Sequence, residues 1–249
     1  MELRKALITG ATSGIGEATA HQLAAEGYSL WLTYSSRDDQ AKAVVEECRL
    51  LGANDVQLSR LDLRDSLSIE NLVQHITECW GSLHVLVNNG GVCPYTPPDD
   101  ITEDEWDYVL ETNARGMFFL TRACLSLLRE ATGDRSIINL SSIAGQVGSI
   151  LTSIHYAASK AAILAVSRSF ARLLAPEKIR VNAVSPGPIT TPITDQLDPA
   201  KRESLDLQVP LGSFGEPADV AWIISSLASP KAKFITGATL DVNGGARID

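Results

Sequence analysis

The chain has little of what a membrane or nucleic-acid protein needs. No stretch approaches the roughly 18 unbroken apolar residues of a spanning helix. No basic block is present, and 21 Lys and Arg are outnumbered by 30 Asp and Glu, for a net charge of −9. This balance argues against nucleic acid and against an anionic membrane surface as main partners. Cysteine is scarce: Cys48, Cys79, Cys93 and Cys124 are scattered and form no CxxC pair. The four histidines are dispersed as well, so no metal site is expected. Residues 1–5 run straight into a strand-like segment without a signal-peptide core. Reduced thiols and a cytoplasmic location are the corresponding expectation.

What is present suits a folded α/β chain. Hydrophobic residues make up 45% of 249 residues, enough for the core of one large domain spanning 1–249. Short apolar runs at 6–9, 29–34, 56–61, 85–87, 136–140, 179–184 and 239–242 read as strands. Helical patterns lie between them at 17–26, 38–51, 66–80, 103 to about 129, 155–174 and 219–227, the fourth interrupted near Gly116. Strand and helix alternate throughout, which predicts an α/β fold, a doubly wound parallel sheet with helices on both faces. Residues 186–216, rich in Pro and Gly, break the rhythm. An irregular stretch of that length in a compact domain predicts a substrate-binding lid.

Two motifs carry chemistry. Gly10, Gly14 and Gly16 follow the first strand and open a helix, in a GxxxGxG spacing that includes Thr12, Ser13 and Ile15. Glycine there lets backbone approach a pyrophosphate, and the helix N-terminus offers free N–H groups at its positive end. The second motif is Tyr156-Ala157-Ala158-Ser159-Lys160. Four residues apart on one helix, Tyr156 and Lys160 share a face. An ammonium beside a phenol favours the phenolate, lowering a tyrosine pKa from about 10. With a dinucleotide loop upstream, the pair reads as the acid and base of a hydride-transfer enzyme. The second strand ends in Tyr34, Ser35, Ser36 and Arg37, with no acid placed for a ribose 2′-hydroxyl. Hydroxyls and a guanidinium suit a 2′-phosphate, so NADP(H) is favoured over NAD(H). Asp38 and Asp39 count the other way unless they only cap the next helix.

From the glycine loop to Asn243-Gly244-Gly245, the whole chain resembles the short-chain dehydrogenase/reductase family, most of all its 3-oxoacyl-carrier-protein reductase branch. The resemblance implies a Rossmann fold. It implies that Tyr156 protonates a carbonyl oxygen, that Lys160 lowers its pKa and contacts the nicotinamide ribose, and that Ser142 holds the oxygen, with Ser141 a competitor. Asn113 matches an asparagine that helps bind a relay water near the lysine. Asp62 and Leu63 match an adenine contact. Asn89, Gly90 and Gly91, after Asn88, match the loop along the adenosine side, Gly90 replacing the family's usual alanine. Pro186, Gly187, Ile189 and Thr191 match the segment that holds the carboxamide. His155 is expected to line the pocket or to be structural.

The substrate wall is expected from 92–95, 146–154 and 188–211, including Val147, Ile150, Leu151, Ile154, Ile193 and Leu197. The first two stretches contain no Lys or Arg. A neutral ketone or an acyl thioester is therefore expected as substrate. The resemblance adds an acidic carrier protein as a partner, met by Arg129, Arg168 and Arg172, and a homotetramer built on the long helices and last strand. The leading reading is an NADPH-dependent carbonyl reductase. An NAD-linked alcohol or sugar dehydrogenase stands second. A dinucleotide-binding sensor stands last, because Asn113, Ser142, Tyr156 and Lys160 are all present.

Overall fold

A computed structural model describes residues 3–36, 38–148, 152–192, 194, 202 and 207–248. Strands β1 (Lys5–Ile8), β2 (Ser29–Tyr34), β3 (Asp55–Arg60), β4 (Val85–Asn88), β5 (Arg135–Leu140), β6 (Ile179–Pro186) and β7 (Thr239–Val242) form one sheet. All pairs are parallel, in the order β3-β2-β1-β4-β5-β6-β7. The strands at its centre are nearly continuous apolar runs because both their faces are covered. Side chains alternate between two cores. Ala6, Ile8, Leu30, Leu32, Val85 and Val87 pack towards helices α1 (Gly14–Ala25), α2 (Asp38–Leu51) and α8 (Pro217–Ala228). Leu7, Trp31, Leu86 and Ile137 pack towards α3 (Ser66–Trp80), α5 (Gly116–Glu130) and α7 (Ile154–Leu174).

Strand order reverses between β1 and β4, and ligand sites of such sheets lie beyond the strand ends at that reversal. Three local features differ from the sequence expectation. Helix α1 begins at Gly14, inside the glycine loop, where no apolar periodicity could announce it. The long helix is α4 (Glu103–Leu110) joined to α5 through a π-helical turn, Glu111–Arg115, which ends at the expected interruption and contains Asn113. A further short helix, α6 (Ala144–Val147), follows β5.

Candidate active site

The glycine turn is built from close backbone packing. A Cβ on Gly16 would lie 2.1 Å from the Gly10 carbonyl oxygen, so only glycine fits there. Gly10 adopts φ +61°, in the region that favours glycine. Asn89 holds the turn from β4: its Nδ2 donates to the carbonyls of Thr9 (2.9 Å) and Gly10 (3.0 Å). The Thr9 hydroxyl accepts from the amides of Asn89 (3.0 Å) and Gly90 (2.8 Å). Ser13 stands before α1 without capping it with its side chain. The first-turn N–H groups thus remain available to an anion, at the positive helix end. This cradle of close-packed backbone and free N–H groups, whose turn a Cβ at Gly10 or Gly16 would force apart, fits the pyrophosphate of a dinucleotide.

A cleft of about 890 Å3 extends from this turn to both sides. Of the site residues expected from the sequence, all but Gly16, Asn113 and Arg37 line it. Gly16 packs behind the turn, and Arg37 lies outside the described residues. At one end stand Tyr34, Ser35, Ser36 and Asp62. Arg64 grips Asp62 with its Nη2 (3.1 Å), its Nε (3.3 Å) and its backbone amide (2.9 Å). Those bonds hold the Asp62 carboxyl below its usual pKa. Arg60, which the sequence reading passed over, lines the same end. Only strand register reveals it, since Arg60 pairs with Tyr34.

At the other end, α7 presents Tyr156 and Lys160. Lys160 is 6% exposed; its Nζ donates to the Leu140 carbonyl (2.8 Å) and lies 5.7 Å from the centre of the Tyr156 ring. The Ser141 hydroxyl donates to the Lys160 carbonyl (2.8 Å), tying β5 to α7. Ser142 faces the cleft, hydrogen-bonds Tyr156 and accepts from the Ala144 amide (3.1 Å). Both serines line the cleft, but the Ser141 hydroxyl is committed to the Lys160 carbonyl while Ser142 bonds Tyr156, which favours Ser142 of the two. Cys93 also hydrogen-bonds Tyr156, a contact with no signal in the sequence.

Asn113 sits behind this group. Its Nδ2 donates to the Val92 carbonyl (2.9 Å) and to Ser159 Oγ (3.0 Å), and its Oδ1 accepts from the Val92 amide (2.8 Å). Both amide protons are used inside the protein, so its side chain pins the segment after β4 to α7. A water-holding role does not fall to those donors. His155 is fully buried outside the cleft, stacked on Trp106 and 3.7 Å from Glu105. Its role is structural.

The electrostatics correct one expectation. Burial raises the Tyr156 pKa above its usual value, Cys93 adds to the rise, and the Ser142 hydrogen bond opposes it. The lowering expected from Lys160 does not prevail against this burial, which also pushes Lys160 itself down to about 8. The sign for stability follows. Between about pH 8 and 10.5 the unfolded chain binds more protons at this lysine than the folded one. Its cost is full below that window and disappears as pH rises through it. Lys160→Met should therefore lose its stability advantage over wild type across the window, read as urea midpoints at several pH values. A difference that stays constant with pH would show that Lys160 titrates normally.

The substrate end is lined by Cys93, Tyr95, Val147, Thr152 and Phe214. Among the described residues, its one cation is Lys160; Arg60 and Arg64 stand at the opposite end. Some expected wall residues, Gln146 and Ile154 among them, are elsewhere. Gln146 bridges Ser185 (2.7 Å) and Asp241 (2.9 Å), and Ile154 is 53% exposed off the cleft. Ile150, Leu151, Ile193 and Leu197 lie outside the described residues. In the stretch expected to form a lid, the Thr190 amide donates to the Gly215 carbonyl (2.9 Å), and Pro192, Thr194 and Val209 reach the cleft. Leu211 is 82% exposed instead. Of the arginines expected to dock a carrier, Arg129 is already held by Glu177 through two bonds of 2.6 and 2.9 Å. Arg168 and Arg172 are exposed on α7.

Residues 10–247 match the family described as Enoyl-(Acyl carrier protein) reductase. The chain is 40% identical over 243 residues to the 3-oxoacyl-acyl-carrier-protein reductase FabG of Staphylococcus aureus (strain Mu50), covering 97% of each chain. It is 37% identical over 248 residues to L-rhamnose 1-dehydrogenase (NAD(P)(+)) of Azotobacter vinelandii, covering 98% of this chain and 96% of the relative. The solved structure of a dehydrogenase/reductase from Sinorhizobium meliloti 1021 superposes with a TM-score of 0.93 at 34% identity, covering 100% of this chain and 96% of that one.

Proposed function

The chain belongs to the short-chain dehydrogenase/reductase family, an NAD(P)-dependent oxidoreductase, and on that premise we propose that it is an NADPH-dependent carbonyl reductase. The observation that carries this reading is one continuous cleft with the glycine turn on its wall and Tyr156, Ser142 and Lys160 at one end. A nicotinamide held in this cleft would supply the hydride that reduces the carbonyl carbon. Tyr156 gives its proton to the carbonyl oxygen. Ser142, whose Oγ is fixed by the Ala144 amide, would turn its hydroxyl from Tyr156 to the incoming substrate oxygen. That oxygen gains charge in the transition state, so a fixed donor stabilises this state more than the ground state. Lys160, anchored by Leu140, stands one turn along to return a proton to Tyr156.

The neutral wall favours a ketone, and among ketones a 3-oxoacyl thioester, in keeping with the Staphylococcus relative. Arg168 and Arg172 are the remaining cations for an acidic carrier protein, since Arg129 is paired. A homotetramer and a cytoplasmic location belong to the same reading. No helix of the described residues is long and apolar enough to cross a membrane. A second reading, an NAD-linked sugar dehydrogenase, is favoured by the Azotobacter relative and by Asp38 and Asp39 in the first turn of α2.

The deciding assay presents purified protein with NADPH or NADH and a panel of 3-oxoacyl thioesters, simple ketones and sugars. Fastest turnover is expected for the thioester with NADPH. Preferential oxidation of a sugar with NAD would replace this reading with the second.

A further inference from the structure

We propose that Arg60, on β3, is the cation that holds the 2′-phosphate of NADPH, an inference that rests on the NADPH reading above. Arg60 and Tyr34 are register partners at the ends of β3 and β2. Leu58, two residues earlier on β3, packs into the core beneath α2, so by strand alternation Arg60 projects on that same side. Its Nε donates to the Ser35 carbonyl (3.2 Å), which parks the guanidinium against the turn between β2 and α2. Nη1 and Nη2 make no hydrogen bond among the described residues, and Arg60 is exposed and lines the cleft, as Ser36 and Gln40 do.

Charge bookkeeping singles out the same residue. Among the described residues, two arginines line this end of the cleft. Arg64 is neutralised by Asp62 and lies over the Tyr108 ring, 4.9 Å from its centre. Arg60 has no ion-pair partner among the described residues, because Asp62, the acid near it, is taken by Arg64. A guanidinium already fixed by one bond, with two nitrogens still unspent, matches the oxygens of a phosphate monoester. NADH offers only a hydroxyl at that position, so the contact discriminates between the two cofactors.

The test is calorimetric titration of the intact protein, wild type, Arg60→Ala and Arg60→Lys, with NADPH, NADH, 2′,5′-ADP and 5′-ADP. Arg60→Ala should weaken NADPH and 2′,5′-ADP by about 10- to 100-fold, the span of a charged hydrogen bond, with NADH and 5′-ADP unchanged. Arg60→Lys should recover part of the loss. If wild type prefers NADPH and Arg60→Ala keeps that preference, another group holds the phosphate and the inference fails while the cofactor reading stands. Equal weakening of all four ligands would also overturn it, showing a general structural role. If wild type binds NADH as tightly as NADPH, the cofactor reading itself fails, and this inference with it.

Discussion

Tyr156→Phe is expected to lower kcat about 1000-fold while dinucleotide affinity stays within about twofold, the span that loss of a positioned general acid produces. The substitution removes one oxygen, and that oxygen is the group that delivers the proton. The ring still fills its place between Cys93 and Lys160, so the fold has no reason to change. The cradle formed by Gly10, Asn89 and the start of α1 is held by its own hydrogen bonds, none of which uses the phenol. A loss in kcat and kcat/KM together, without a change in cofactor Kd, marks a group that acts in the transition state. Steady-state kinetics beside a fluorescence titration of NADPH checks both halves. Activity within tenfold of wild type would remove Tyr156 from the mechanism, and weakened cofactor binding would reassign it to the cradle.

Gly16→Ala should weaken dinucleotide binding more than tenfold and lower the thermal midpoint by several degrees. The added Cβ would lie 2.1 Å from the Gly10 carbonyl oxygen and 2.5 Å from Asn89 Nδ2. Neither is the end of a flexible chain: one is backbone, and the other is held by two carbonyls. Relief must come from moving α1 or the turn, and overpacking of this kind costs about 1–3 kcal/mol. For a chain of this size each kcal/mol shifts the midpoint by about 2–4 °C. Calorimetry for binding and a thermal scan for stability read the two effects. A variant that binds and melts as wild type does would mean that the turn is looser than its packing indicates.

The glycine turn was legible in the sequence because glycine is the residue that tolerates both a positive φ and a backbone contact of this kind. The alternation of strands and helices was legible because a strand covered on both faces must be apolar nearly throughout. Tyr156 and Lys160 were legible as a pair because helical spacing alone puts them on one face. The choice between Ser141 and Ser142 was open in the sequence, and what separates them is tertiary: Ser141 donates to the Lys160 carbonyl and Ser142 bonds Tyr156. Asn113 could be named, but the π turn that aims its amide at Val92 depends on packing against α7 rather than on local propensity.

By itself, then, the sequence determined what local chemistry dictates: the order of elements, the glycine turn and the pairing of Tyr156 with Lys160 on one helix face. Tertiary structure decided what depends on neighbours distant in the chain. It set the register that brings Arg60 beside Tyr34, the pairing that takes Arg129 out of play, and the burial that raises Tyr156 and depresses Lys160. The reason is physical. Spacing along a helix or turn is a property of covalent geometry. Desolvation, strand register and ion pairing arise only when segments separated by tens of residues come into contact.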